Sequence, residues 1–265
     1  MQQIAGKPPT TAAWEIIGAF VRMQRESLDL SRPELANVSL VSRSSIAKLE
    51  NEFRPVSQAA LRELLNALMI FDLAATRCVE MAAQPELVLR SIEEEERAVP
   101  SVATLSHVLS DPFPACLHRR ASFERLASNA AFDRLFPGSQ DYQYFLEWVM
   151  LDPRAREVLV NWRYDSQLWI GNLHCLGPFV VTQPRMQWLA ERLSPAPEFE
   201  AMFRARIPIQ EVIRHTMEIR DLDTGEINTM NVKYWSAAFP PDPFWVIKFV
   251  PQLANLDRHQ VPLPA

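Results

Sequence analysis

The clearest chemistry in this sequence belongs to a short basic segment, residues 42–50, which reads SRSSIAKLE. Ile46 and Leu49 are spaced to face inward on a helix, which leaves the other side chains on an outward arc. The candidate DNA-contacting residues are this arc and its basic flanks: Arg32, Ser42, Arg43, Ser44, Ala47, Lys48 and Arg54. Because arginine can donate two hydrogen bonds to guanine O6 and N7, whereas lysine and serine suit phosphates, Arg43 is the first candidate for reading bases. By spacing alone, the segment also fits a solvated helix face.

Catalytic chemistry has weaker support. His174 and Cys175 are adjacent, but neighbours on a helix point apart, and no third group is identifiable to orient the histidine. Asp152 and Glu157 fall on a segment that is typical of a helix start rather than of an acid/base pair. We therefore expect no catalytic residue and a protein that is not an enzyme.

The histidines and cysteines form no metal-binding motif. No H-x-x-x-H or C-x-x-C spacing occurs, and three histidines are isolated: His107, His118 and His215. The cysteines lack paired spacing, so we expect three buried thiols rather than a disulfide framework: Cys78, Cys116 and Cys175. The sequence predicts neither a metal site nor a cofactor.

Two short helices are needed to position the basic segment. Ser31 and Glu34 form the pattern of a capping box, which begins a helix, and Ser42 offers a second N-cap hydroxyl soon afterwards. The apolar anchors of the two helices are Leu35, Val38, Val41, Ile46 and Leu49. Helices joined by so tight a turn must cross steeply, which is the geometry that presents the second helix to a major groove.

The chain of 265 residues is long enough for two domains. Its first eighty residues have helical periodicity, whereas all but one of the tryptophans lie later. The acidic block Glu93–Glu96 is typical of a solvated connecting helix. We predict a helix-turn-helix domain over residues 12–83, a connecting helix over 84–100, a second domain over 101–251 and a flexible tail over 252–265.

The second domain combines helices with strands. Residues 142–193 have apolar side chains at three- and four-residue steps, which predicts helices. The tripeptide Asp223-Thr224-Gly225 lies between two extended segments and predicts a hairpin turn, and residues 245–250 predict a further strand. The fold class is therefore α+β, with an all-α bundle followed by an antiparallel sheet and flanking helices.

Charge and hydropathy restrict the partners. The formal net charge of -5 argues against a protein that coats nucleic acid indiscriminately, so DNA binding must be local. No apolar run approaches the roughly 20 residues that span a bilayer, and the first residues lack the features of a secretory signal. We expect no membrane insertion and a cytoplasmic protein.

The segment from Ile16 to Ile70 resembles the xenobiotic-response-element family of helix-turn-helix regulators, of the phage-repressor type. The resemblance places the supporting helix at residues 31–38, the recognition helix at 42–50 and the closing helix at 59–69. Leu40 replaces a glycine of the turn, and Asn51 replaces a second glycine but tolerates the left-handed conformation. Arg32 stands where glutamine is common, which implies a different operator sequence.

The second half resembles the MmyB-like family of transcription regulators. The similarity lies in LDPRAREVLVNWRYDSQLWIGNLHCL, residues 151–176, in residues 114–136 with Asn129 at the matching place, in RLSPAPEFEAMF and in VIKFVP. The resemblance implies a PAS-like ligand-binding domain that senses an apolar small molecule, with a fatty acid as the leading candidate.

The candidate ligand-binding residues lie on these segments: Asn129, Phe132, Phe136, Phe145, Trp148, Arg156, Trp162 and Trp169. The aromatic side chains can line an apolar pocket, and Asn129 or Arg156 can hold a carboxylate. Each aromatic residue can equally be plain core, and Arg156 can equally form a structural ion pair.

Two functions remain open. The first is a ligand-responsive transcription regulator that binds double-stranded DNA as a homodimer, since such domains pair half-sites across a two-fold axis. The second is a protein-interaction module whose helix-turn-helix no longer binds DNA. The second is favoured by the first eighty residues, which carry as many acidic as basic side chains.

Overall fold

The N-terminal part of the chain is a bundle of helices. The computed structural model describes residues 8–212, 216–236 and 242–252. The bundle consists of α1 (Pro9–Ser27), α2 (Arg32–Ser39), α3 (Arg43–Glu52), α4 (Gln58–Ala67), α5 (Asp72–Ala83) and α6 (Pro85–Arg97). Fully buried aliphatic side chains from four of the helices meet at its centre: Ile17, Leu35, Ile46, Leu49 and Leu61.

The predicted caps begin the predicted helices. Ser31 and Glu34 form the reciprocal capping box of α2, and the Ser42 hydroxyl accepts a hydrogen bond from the amide of Ser45 at 3.1 Å. Satisfying amides that have no partner within the helix stabilises these starts. The turn between the two helices passes through Leu40 in the left-handed conformation, at φ 58°.

Two details of the helix-turn-helix prediction are wrong. Val38 is 61% exposed rather than an apolar anchor, because α2 turns Leu35 and Ser39 inward. Asn51 is helical, because α3 continues to Glu52, and the left-handed residue is Phe53 at φ 54°.

The C-terminal part is built around an antiparallel sheet in the order β2-β1-β5-β4-β3. Its strands are β1 (Ala115–Arg119), β2 (Arg125–Ser128), β3 (Thr216–Arg220), β4 (Ile227–Trp235) and β5 (Phe244–Pro251). Its helices are α7 (Val102–Leu109), α8 (Ala130–Leu135), α9 (Phe145–Leu151), α10 (Pro153–Val158), α11 (Trp162–Val180), α12 (Gln183–Leu193), α13 (Phe199–Arg204) and α14 (Ile209–Val212), with a 3-10 turn at Ser139–Asp141. The predicted α+β class is confirmed, and so is the PAS-like antiparallel sheet.

Both faces of the sheet are covered. On one face, the Phe249 ring packs 4.8 Å from the Phe136 ring, beside α8 and α9. On the other face, Leu117 and Val246 form a smaller buried cluster with Val108 of α7. The hairpin between β3 and β4 closes at Asp221 and Gly225, and Gly225 has a φ of +75°, which glycine adopts without strain.

The connecting helix α6 is packed rather than solvated. Val88 and Ile92 are buried, and Glu95 forms an ion pair with Arg77 of α5. The Glu96 carboxylate accepts hydrogen bonds from the amide and hydroxyl of Thr182, both at 2.9 Å, where α12 begins. The acidic block therefore links helices of both domains.

The bundle and the second domain share one continuous hydrophobic core. The rings of Phe20 on α1 and Phe179 on α11 lie 4.9 Å apart, edge to face. Gln24, which is fully buried on α1, accepts a hydrogen bond from the amide of Ile209 at 2.9 Å. Gln210 donates from Nε2 to the carbonyls of residues 68 and 69, at 2.9 and 2.8 Å, where α4 ends. The short helix α14 is thus attached to two helices of the bundle.

The remaining predictions concern the cysteines, His215 and the C-terminal tail, membrane insertion and metal binding. The cysteines are free and buried, as expected: Cys78, Cys116 and Cys175. His215 and all but the first residue of the predicted tail, 252–265, lie outside the described residues. In the part of the chain that the structure describes, no helix is long and apolar enough to cross a membrane, and no group of three or more His, Cys, Asp or Glu residues could hold a metal ion.

Candidate functional site

The recognition helix α3 presents a basic and polar arc to solvent. Arg43, Ser44 and Lys48 are exposed and Ala47 is half-buried, whereas Ile46 and Leu49 are fully buried beneath them. Ser42 is also exposed, at the N-cap. Among the described residues, neither Arg43 nor Lys48 forms an ion pair or a side-chain hydrogen bond. Both cationic side chains are therefore free to meet a phosphate or a base edge.

The two flanking arginines have protein partners. Arg32 donates from Nε to Glu50 at 2.7 Å and from Nη2 to Asn51 at 2.9 Å. Arg54 pairs with Glu52 at 2.8 Å, and both side chains are largely exposed, so the pair contributes little stability and can open. The structure brings both arginines to the ends of α3, and DNA contact by either one stays a prediction.

Glu50 is the centre of a network that holds α3 in place. Its buried carboxylate accepts two hydrogen bonds from Arg25 of α1, at 2.7 and 2.9 Å, and one from Arg32 of α2. The carboxylate of Glu50 raises the pKa of Arg25 above its usual value, so the guanidinium stays charged. Arg25 also donates to the Leu30 carbonyl at 2.7 Å. The network fixes three helices relative to one another and leaves the exposed arc of α3 uninvolved.

The six predicted pocket aromatics are buried in the core. Phe145 packs 5.3 Å from Trp148 and 5.2 Å from Trp169, measured between ring centroids, and Phe136 packs 5.5 Å from Trp148. Phe132 joins the same cluster through Phe136. Trp162 is separate from these rings and donates from Nε1 to the Val149 carbonyl at 2.8 Å. In this structure the rings fill space against one another, and their role as pocket walls stays a prediction.

The two predicted polar ligand residues have structural partners. Asn129 is the N-cap of α8: its Oδ1 accepts from the amides of Phe132 and Ala115, and its Nδ2 donates to the carbonyls of Asp111 and Phe113. Every hydrogen-bonding position of that amide is thus in use.

Arg156 donates to both carboxylate oxygens of Glu198 at 3.0 Å, and its guanidinium lies 3.6 Å from the centroid of the Trp162 ring. This is the structural ion pair that the sequence left as an alternative.

An apolar cavity of about 300 Å³ lies between the two domains. The bundle contributes Met69, Phe71, Leu73 and Ala74, from the end of the α4–α5 turn and the start of α5. The second domain contributes eight residues: Asn172, Leu176, Ile209, Gln210, Tyr234, Trp235, Ser236 and Trp245. We call this space the seam cavity. No sequence signal marks this cavity, because its walls come from distant segments of the chain that no local spacing relates.

The polar groups of the seam cavity are uncharged. Asn172 is 3% exposed, and its Oδ1 has no hydrogen-bond partner among the described residues. Burial raises the pKa of Tyr234 to about 12, so its phenol stays neutral. The wall therefore combines aromatic and aliphatic surface with a few neutral polar groups, which is the usual composition of a small-molecule pocket.

Models of known protein families match both halves of the chain. The family model for the MmyB-like transcription regulator ligand binding domain matches residues 102–257, more than half of the sequence. A helix-turn-helix domain model matches residues 16–76. A search of curated proteins found no match. Both matched families are those of transcription regulators rather than enzymes, and the chain belongs to the MmyB-like family of DNA-binding, ligand-responsive transcription regulators.

Proposed function

We propose that this regulator reads its operator through the exposed arc of α3 and responds to an apolar small molecule of the fatty-acid type. One observation carries the proposal: Arg43 and Lys48 are exposed and unpaired among the described residues, on a helix that the buried Glu50 network holds rigidly from behind. A helix that is already fixed loses little backbone freedom when it binds, so the ordering cost falls on its side chains. The protein would act in the cytoplasm, with no cofactor.

Within this interface the residues have different roles. Arg43 lies in the first turn of α3, where a recognition helix contacts base edges, and it would donate two hydrogen bonds to a guanine. Ser42, Ser44 and Lys48 would contact phosphates. Arg32 and Arg54 would contact the sugar-phosphate backbone of the DNA next to these contacts, after Arg54 leaves its exposed pair with Glu52.

The experiment is a footprint of the full chain on DNA upstream of its own gene, followed by binding measurements with variants. Arg43→Ala should cost about 1–3 kcal/mol, or roughly 5- to 150-fold in affinity, and should relax preference at one base pair. Lys48→Ala should weaken binding to all sequences alike and reduce the salt dependence. Arg90→Ala is the control, because Arg90 is exposed on α6, away from α3.

Unchanged affinity and preference in Arg43→Ala would show that α3 is docked in another way. A wild-type chain that protects no DNA would favour the protein-interaction module instead.

The match to a ligand-binding domain and the apolar seam cavity support an apolar small-molecule ligand, for which a fatty acid is the proposed type. A ligand among the six predicted aromatics would have to displace packed rings, because each is at most 8% exposed. Native mass spectrometry of the purified chain tests the ligand class, since a retained acyl compound adds its own mass. Nothing bound, together with no thermal shift on adding fatty acids, would exclude it.

A homodimer is the proposed assembly. Val99, Val102 and Leu109 are exposed apolar side chains on and just before α7, on the outside of the second domain. A second copy of this chain that covers them would place two recognition helices on two half-sites.

A further inference from the structure

We infer that the second domain sets the half-site spacing that this regulator accepts, because Gln24 and Gln210 fix the orientation of the helix-turn-helix bundle on it. This rests on the proposed function, in which two copies joined through their second domains place two recognition helices on DNA. In such an assembly the distance between the two copies of α3 depends on how each bundle is oriented on its own second domain. Gln24 and Gln210 are therefore positioning residues for operator recognition and need no contact with DNA.

Gln24 links α1 to the second domain through both ends of its side-chain amide. Its Oε1 accepts a hydrogen bond from the amide of Ile209 at 2.9 Å, and its Nε2 donates to Sγ of Cys175 at 3.5 Å. The side chain is fully buried, and both partners belong to the second domain. Because a buried amide that loses its partners is costly, α1 keeps one orientation against α11 and α14.

Gln210, the next residue of α14, is attached to another side of the bundle. Its Nε2 donates to the carbonyls of Leu68 and Met69, at 2.9 and 2.8 Å, where α4 ends. The carbonyls at the end of a helix have no partner within it, so a side chain from the second domain satisfies them here. Consecutive residues of α14 thus hold α1 and α4, and two points of attachment resist rotation about either one.

The helix α1 passes this orientation on to the recognition helix. Arg25, the residue after Gln24, donates two hydrogen bonds to the buried carboxylate of Glu50 on α3. A Cβ at Gly18 would lie 2.4 Å from the Leu49 carbonyl oxygen, so the backbones of α1 and α3 approach closely and the two helices move together. The Gln24 side chain bonds to the second domain and not to α3, so replacing it leaves the contacts of α3 with one half-site intact.

The two domains are joined by packed helices rather than by a flexible linker. Gln84 is both the C-cap of α5 and the N-cap of α6, and Val88 and Ile92 of α6 are buried. One extra base pair moves a half-site by about 3.4 Å along the DNA axis and turns it by roughly 35°. A flexible linker absorbs such a change, whereas this chain must break the contacts of Gln24 and Gln210 to follow it.

The test measures binding of the full chain to its footprinted operator and to the same operator with one base pair inserted between the half-sites. We expect the insertion to weaken wild type about tenfold or more, the usual contribution of one or two hydrogen bonds. It should weaken the double variant Gln24→Leu with Gln210→Ala by less than about threefold. Both proteins should bind DNA that carries a single half-site equally, because α3 is unchanged.

Glu211→Ala is the matched control for the double variant. Glu211 is exposed on the same helix α14, and its side chain forms no hydrogen bond or ion pair among the described residues. This variant should keep the wild-type penalty for the inserted base pair. Gln210→Ala alone replaces an exposed side chain, so it should stay folded and lose part of that penalty.

Amide hydrogen exchange of the full chain tests the attachment without DNA. In Gln24→Leu the amide of Ile209 loses its acceptor, so its exchange should become about tenfold faster or more. The amides of α3 should exchange as in wild type, because α3 keeps its contacts with α1.

A wild-type chain that binds the lengthened operator as tightly as the native one overturns the spacing role, and so does a folded double variant that keeps the full penalty. Unchanged exchange at Ile209 in Gln24→Leu overturns the attachment itself. All three results leave the proposed function intact, because DNA is still bound. A wild-type chain that protects no DNA, or that protects one half-site as a monomer, overturns the proposed assembly on DNA and the spacing role together.

Discussion

His118 is a buried histidine that the candidate site does not use. It is 1% exposed on β1, its Nδ1 donates to the Arg119 carbonyl at 2.9 Å, and its ring stacks 4.9 Å from the Phe123 ring. Its Nε2 has no partner among the described residues. Burial lowers the pKa of His118 to about 4, against 6.5 in an unfolded chain, so the folded protein holds it neutral.

The direction of the pH dependence follows from that shift. Between pH 6.5 and 4 the unfolded chain binds a proton at this position and the folded chain does not, so the contribution is complete above 6.5 and is lost as the pH falls. From pH 7 to pH 5 the free energy of unfolding should fall by about 2 kcal/mol from His118 alone. Urea unfolding of wild type and His118→Gln at both pH values measures this fall in the free energy of unfolding. An equal fall in the two proteins between pH 7 and pH 5 would contradict the burial argument.

Residues differ in how far the sequence could assign them. The roles of Ser31 and Ser42 were predictable, because a cap depends on side chains within three residues. The tie between Gln24 and Ile209 was not, because its partners are 185 residues apart. The same reason hid Asn172, whose lack of a partner is a property of the folded chain.

At the scale of elements, the turn before α3 carries backbone strain. Leu40 adopts a left-handed conformation at φ 58° while its side chain is 89% exposed. That conformation costs a residue with a Cβ about 1–2 kcal/mol, and the exposed side chain gains little from packing in return. Glycine removes the strain but raises the entropy of the unfolded chain.

Leu40→Gly should therefore raise the free energy of unfolding by about 0.5–1 kcal/mol, measured by urea denaturation. Phe53→Gly is the matched control: Phe53 has nearly the same φ, at 54°, but its half-buried ring packs near Gly18 of α1. There the lost packing should outweigh the relief of strain and destabilise the chain. Destabilisation by Leu40→Gly would show that this turn is not strained.

The ends of elements were harder to predict than their existence. The helix starts, the β3–β4 hairpin and β5 follow from caps, turn residues and periodicity. The end of α3 does not, because it is the left-handed Phe53, whose ring packs beside Gly18 of α1, a partner distant in the sequence. Tertiary packing of this kind sets where a helix stops.

At the scale of the whole molecule, two domains that the sequence separates are joined through one core. Local patterns predicted a solvated, charged connecting helix. In the structure Glu95 forms an ion pair with Arg77 of the bundle, and Glu96 accepts a hydrogen bond from the amide of Thr182 in the second domain. The candidate ligand residues show a related limit of the sequence: an aromatic ring in a pocket and one in a core have the same sequence signal. Only the assembled chain separates Phe136, packed among rings, from Trp245, which lines the seam cavity.

The last prediction concerns the assembly. Val102 and Leu109 are 80% and 58% exposed, and their spacing of seven residues puts them on one face of α7. If that face joins two copies, Val102→Asp with Leu109→Asp places four carboxylates at the interface and should yield monomers by size-exclusion chromatography with light scattering. Operator affinity should fall with the loss of the second half-site. Leu87→Asp, at an exposed leucine of α6, should remain dimeric. A monomeric wild type, or a double variant that stays dimeric, would exclude α7 as the interface.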